Sequence, residues 1–126
     1  MAWIQLLTAA FLAITFLQSG FDKLIDRDGN TAFLRDHFQT SPLAGQVELL
    51  LTVVTVFELV AGTLSGLGTL AFLLWGGRTF AYAGAVLGAV TIVMLFFGQR
   101  VAKDYAGAAV LVPYFLVTLT AIYVLR

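Results

Sequence analysis

The stretch LLLTVVTVFELVAGTLSGLGTLAFLLW, Leu49 to Trp75, decides the fold. Polar side chains enter it only at Thr52, Thr55, Glu58, Thr63, Ser65 and Thr69. A spanning helix needs about 20 apolar residues. In hydrocarbon every backbone polar group must be satisfied internally, so such a segment crosses as a helix. A helix from about Gly45 to Leu74 is roughly 45 Å long at the helical rise. That is long for a bilayer, so the segment is expected to tilt or bend. Gly62, Gly66 and Gly68 offer a bend or a true break.

Three further segments have the same character. Ala2 to Phe21 carries only Gln5, Thr8, Thr15, Gln18 and Ser19 as polar residues, and Trp3 suits the interfacial belt. It lacks a positively charged n-region, and its apolar run of about 20 residues exceeds the usual h-region of a signal peptide, so it reads as a retained helix. After the turn signal Gly76-Gly77-Arg78, a third span runs from Arg78 to Phe97 and a fourth from Tyr105 to Leu125. Pro113 is expected to kink the last.

Composition agrees. The chain has 126 residues, 60% hydrophobic and 11% charged. A soluble domain carries about 25% charged residues, so lipid must cover much of this surface. The formal net charge is zero and no charge run is present, which leaves no case for nucleic acid. There are no cysteines, one histidine and two methionines. Disulfides, thiol relays and cysteine-ligated clusters are excluded, and a haem with converging His or Met ligands is hard to build. Metal ligands are not expected. The reading is an all-α, four-helix transmembrane bundle forming one domain over residues 1–126.

The first connection, Asp22 to Gly45, is the long one. It contains the turn signal Asp28-Gly29-Asn30, and Asn30 is placed to cap a short interfacial helix through Phe38. Phe33, Leu34, His37 and Phe38 then share a face. Ser41-Pro42 has the form of a helix start.

With four spans, the end of the first, the start of the second, the end of the third and the start of the fourth share one membrane side. Asp22, Lys23, Arg27, Arg35, His37, Gln99, Arg100, Lys103 and Asp104 lie there. The positive-inside rule compares Lys23, Arg27, Arg35, Arg100 and Lys103 with Arg78 and Arg126. It puts the connections in the cytoplasm and both termini outside.

Glu58 is the sharpest single residue. A charged group at that depth costs at least about 2.5 kcal/mol, so it should face the bundle interior with a partner or be protonated. It is either a proton-active or ligand-binding carboxylate or a structural one. Lys23 leaves the first helix after Ser19 and could reach back to it; alone, it is a lysine snorkelling to the headgroups. Gln18 and Ser19 could complete the hydrogen bonds. Arg100, Lys103, Asp104 and Tyr105 form the densest polar stretch. They read either as a basic lid over a site or as a helix cap and lipid-phosphate contacts. A ligand cleft should be walled by Phe16, Phe57 or Tyr105; if the carboxylate serves only packing, that space should be filled. His37 reads as an interfacial loop histidine. Gly62-x-x-x-Gly66 and Gly84-x-x-x-Gly88 allow close helix contact and are compatible with a homo-oligomer.

Phe16-Leu17-Gln18-Ser19-Gly20-Phe21-Asp22-Lys23-Leu24, Ser41-Pro42 and Phe57-Glu58-Leu59-Val60-Ala61-Gly62 resemble the DoxX family of small bacterial membrane proteins. The stretch Phe97 to Phe115, with Lys103-Asp104-Tyr105-Ala106-Gly107, resembles its Bacteroidetes members. The resemblance implies a multi-pass protein of the bacterial inner membrane linked to redox systems. It suggests an accessory subunit of a membrane oxidoreductase that contacts quinone and binds no cofactor of its own. A carrier of a small or lipid-like molecule is the second expectation, and an assembly factor without ligand the third.

Overall fold

Five α-helices account for most of the chain in the computed structural model, which describes residues 2–126. They are α1 (Ala2–Ile25), α2 (Arg27–His37), α3 (Val47–Trp75), α4 (Thr79–Val101) and α5 (Tyr105–Leu125), with a 3-10 turn over Ala44–Gln46 before α3. Among the described residues there is no strand. Helices α1, α3, α4 and α5 are long and apolar enough to cross a membrane. They form an all-α four-helix bundle in which α1 packs on α3, α3 on α4, and α4 on α5. Helix α5 closes back on α1, where Gln5 Nε2 donates to the Val124 carbonyl at 2.7 Å.

The distribution of side-chain size explains the environment. The interior is built from small residues, including Ala9, Ala61, Ala81, Ala85 and Ala121, around Leu12, Phe16 and Ile92. Large apolar residues face outward: Trp3, Ile14, Leu70, Leu74, Val110 and Leu116 are all exposed. A water-facing surface rarely carries contiguous apolar area on this scale. Small residues at the contacts and large ones outside are what lipid-embedded helices show. The chain is a small multi-pass membrane protein.

Glycines set the helix spacing. A methyl at Gly62 would come within 2.8 Å of the Leu17 backbone nitrogen, and one at Gly68 would collide with the Ala81 backbone. These residues therefore bring α3 against α1 and α4. They do not break it, and α3 runs uninterrupted to Trp75. It ends where Gly76 takes a left-handed conformation (φ 72°). The Gly76 amide returns to the Phe72 carbonyl, the bond of an αL cap, and the Gly77 amide to the Ala71 carbonyl.

The first connection departs from expectation in detail. Asp28-Gly29-Asn30 is not a turn but the first part of α2, which starts at Arg27. The bonds Asp26 N to Asp22 O and Asn30 N to Asp26 O, both 3.0 Å, carry the chain across a break at Asp26. Asn30 does not cap; its Nδ2 donates back to the Asp26 carbonyl at 2.8 Å. Ser41 does not start α3 either. Its hydroxyl donates to the Phe38 carbonyl at 3.0 Å and accepts from the Leu43 amide at 3.2 Å, closing a turn. Helix α4 extends beyond Phe97 to Val101, and α5 spans Tyr105–Leu125 without a break at Pro113.

Helix α2 lies along the first turns of α3. Arg35 pairs with Glu48 at 2.7 Å, and an Arg27 guanidinium nitrogen donates to Thr52 Oγ1 at 2.6 Å. Helix α3's 29 residues extend about 44 Å, more than a hydrocarbon core of about 30 Å, and its first turns, at Glu48 and Thr52, are the ones in contact with α2.

Candidate ligand cleft at the polar end of the bundle

Ser19 and Lys23 are four residues apart at the end of α1 and so share a face. The Lys23 ammonium donates to Ser19 Oγ at 2.8 Å and lies 2.9 Å from Glu58 Oε1. Gly20, between them, makes the crossing with α3 close; a methyl there would meet Leu59 at 2.6 Å. Glu58 is 1% exposed and Lys23 19%. Glu58 Oε1 has no directed hydrogen bond; its contact with the ammonium is the ion pair at 2.9 Å. The carboxylate is held by charge contact with the ammonium, as a buried ionised group must be.

A second polar group forms at the other wall. His37, in the last turn of α2, stacks on Phe33 with ring centroids 5.3 Å apart and meets the edge of Phe38 at the same separation. Its Nε2 is 2.8 Å from Gln99 Oε1 and 3.5 Å from Asp104 Oδ2. Both neighbours are acceptors, so Nε2 carries the hydrogen, and in the neutral ring Nδ1 is left as an acceptor. Asp104 has a double role: its Oδ1 accepts the Gly107 amide at 2.9 Å and caps α5, while Oδ2 faces His37.

Between these groups lies a cleft of about 440 Å³. Its walls come from the end of α1, from α2 and the turn after it, and from α3 and α4. They are apolar: Phe33, Phe38, Leu51, Val54, Met94 and Phe97 are among them, and the polar side chains are Lys23, His37 and Gln99. The volume is in the range of small-molecule sites.

The sequence candidates divide here. Glu58, Lys23 and Ser19 converge, and Asp104 joins through His37. Gln18 is exposed and stands apart. Arg100 and Lys103 do not reach Glu58. Arg100 is exposed and lies over the Tyr105 ring, 4.6 Å from its centroid, and Lys103 is exposed in a left-handed turn (φ 63°). The aromatic walls are Phe33, Phe38 and Phe97, not those expected. Phe16 is buried in the core, where a methyl at Gly88 would meet its ring at 2.7 Å. Sequence reasoning missed His37 and Gln99 as site residues. The signal was the aromatic pair flanking His37, together with the topology that puts the end of the first connection beside the end of the third span.

Among the described residues no three His, Cys, Asp or Glu side chains gather as a metal site would require. Comparison with family models, curated proteins and solved structures finds no match.

Proposed function

We propose that this membrane protein binds a lipid-soluble amphiphile in the cleft, with the polar head at Lys23, His37 and Gln99 and the apolar part against the phenylalanine and aliphatic walls. The observation that carries this reading is the lining itself: an open apolar space with three hydrogen-bonding groups. A chain serving only as an assembly scaffold would gain by filling that space, since an unfilled cavity forfeits packing.

The narrower form of the proposal makes the ligand a quinone and the chain an accessory subunit of an oxidoreductase in the bacterial inner membrane. Quinone carbonyls accept hydrogen bonds, and Lys23 and Gln99 carry N–H donors. With no cysteine in the chain, electrons would come from a partner subunit. This form leans on the DoxX-like motifs around Lys23 and Glu58. The broader form, a lipid-like ligand carrier, needs no partner.

The test is titration of the purified full chain in mild detergent with decylubiquinone and with 1-decanol. Saturable binding of at least one, at one molecule per chain, is expected. His37→Leu/Gln99→Leu should weaken it about tenfold, or 1.4 kcal/mol, the scale of one or two neutral hydrogen bonds. No saturable binding, or equal affinity in the variant, overturns the proposal. Copurification with cofactor-bearing subunits would select the redox-linked form.

A further inference from the structure

The polar groups of the cleft are arranged so that their charges cancel. Lys23 is the cation among the lining residues, and its ammonium lies 2.9 Å from a carboxylate that is 1% exposed. Arg35, on the neighbouring helix, is tied to Glu48 at 2.7 Å. Arg100 and Lys103 are exposed and do not line the cleft. His37 and Gln99 contribute hydrogen-bonding capacity without a fixed charge, and Asp104 Oδ2 places a negative group 3.5 Å from His37 Nε2.

We infer that Glu58 makes the cleft selective for amphiphiles with an uncharged, hydrogen-bonding head, and that it does so by cancelling the charge of Lys23. The inference rests on the amphiphile-binding reading above and deepens it. An ammonium carries three N–H groups. One is spent on Ser19, and Glu58 sits against the nitrogen, so Lys23 retains donor capacity toward the cleft while its field is neutralised. In a low-dielectric site an uncancelled ammonium would draw a sulfonate, phosphate or carboxylate head strongly. With Glu58 in place, such a head meets a neutral pair. A carbonyl or hydroxyl head can take the hydrogen bond without bringing a charge out of water. Glu58 does not itself line the cleft, so it acts through Lys23 as a positioning and neutralising residue.

The test uses two probes with the same tail, 1-decanol and decane-1-sulfonate, the latter charged at every working pH. Binding is measured to the full chain in nanodiscs of zwitterionic phosphatidylcholine. The wild type should prefer decanol by about tenfold or more, equivalent to 1.4 kcal/mol or above. Glu58→Gln keeps the shape and removes the charge; sulfonate affinity should rise about tenfold while decanol affinity moves by less than about threefold. Lys23→Met/Glu58→Gln removes both charges and should restore the neutral preference. A purely structural role for Glu58 would lower both affinities together and leave their ratio unchanged. An unchanged ratio in Glu58→Gln, or a wild type that binds sulfonate as tightly as decanol, overturns the inference; the second comparison needs no variant to fold. Binding of decanol with either result would leave the amphiphile reading standing. Failure of both probes to bind any of the three chains would remove that reading and the inference together.

Discussion

Lys23 and Glu58 show what a single residue can and cannot disclose before folding. Glu58 is conspicuous because a carboxylate inside an apolar helix must find compensation, and the expectation of an inward-facing partner held. Which cation would answer it was open among Lys23, Arg100 and Lys103. The choice follows from local geometry, because Ser19 fixes Lys23 along α1 and Gly20 lets α3 approach at that level. His37 was harder to read. Nothing in its neighbourhood names Gln99, which is 62 residues away, and only the closed bundle joins them. Removing one partner of a buried pair is costly, about 3–5 kcal/mol, because the other charge stays buried. Lys23→Met alone should therefore lower the midpoint of thermal unfolding in detergent clearly, and Lys23→Met/Glu58→Gln should recover most of it. A single variant as stable as the double would mean that the pair carries no such coupling.

At the scale of elements, the four spans were legible because length and apolarity are sufficient in a bilayer, and α5 falls on its expected bounds. The boundaries inside the first connection were not. Asp-Gly-Asn has the composition of a turn, but it falls inside α2, which lies against α1 and α3. The glycines of α3 offer a bend or a break in the sequence; the helix is unbroken, and at Gly62 and Gly68 another backbone passes close. Gly68→Val should consequently cost more than a polar deletion. Its side chain would meet the Ala81 backbone, and overpacking of this kind costs roughly 1–3 kcal/mol or more. Gln5→Leu removes the tie to Val124, and an interhelical hydrogen bond in a membrane is worth only about 0.6–1.7 kcal/mol. Denaturant titration of the two variants should rank Gly68→Val as the less stable. Glu48→Ala should change little, since both side chains of its pair with Arg35 are exposed.

For the whole molecule, the bundle has one polar end and one plainer end, and the cleft sits at the polar one. That arrangement also bears on orientation. Lys23 is committed to Glu58, so the comparison of loop cations becomes Arg27, Arg35, Arg100 and Lys103 against Arg78 and Arg126, four against two. By the positive-inside rule the cleft end is expected to face the cytoplasm. A reporter fused after Arg126 should be active outside the cytoplasm; cytoplasmic activity would reverse the orientation.

The central claim is that the cleft holds a ligand, and the most direct measurement is native mass spectrometry of the full chain released gently from its membrane. Val54 lines the cleft, and Val54→Trp would fill part of it while leaving every charged side chain in place. The wild type should retain one neutral amphiphile per chain, and Val54→Trp should emerge without it under the same conditions. A wild-type chain that emerges bare, or a Val54→Trp chain carrying the same adduct, would contradict the account.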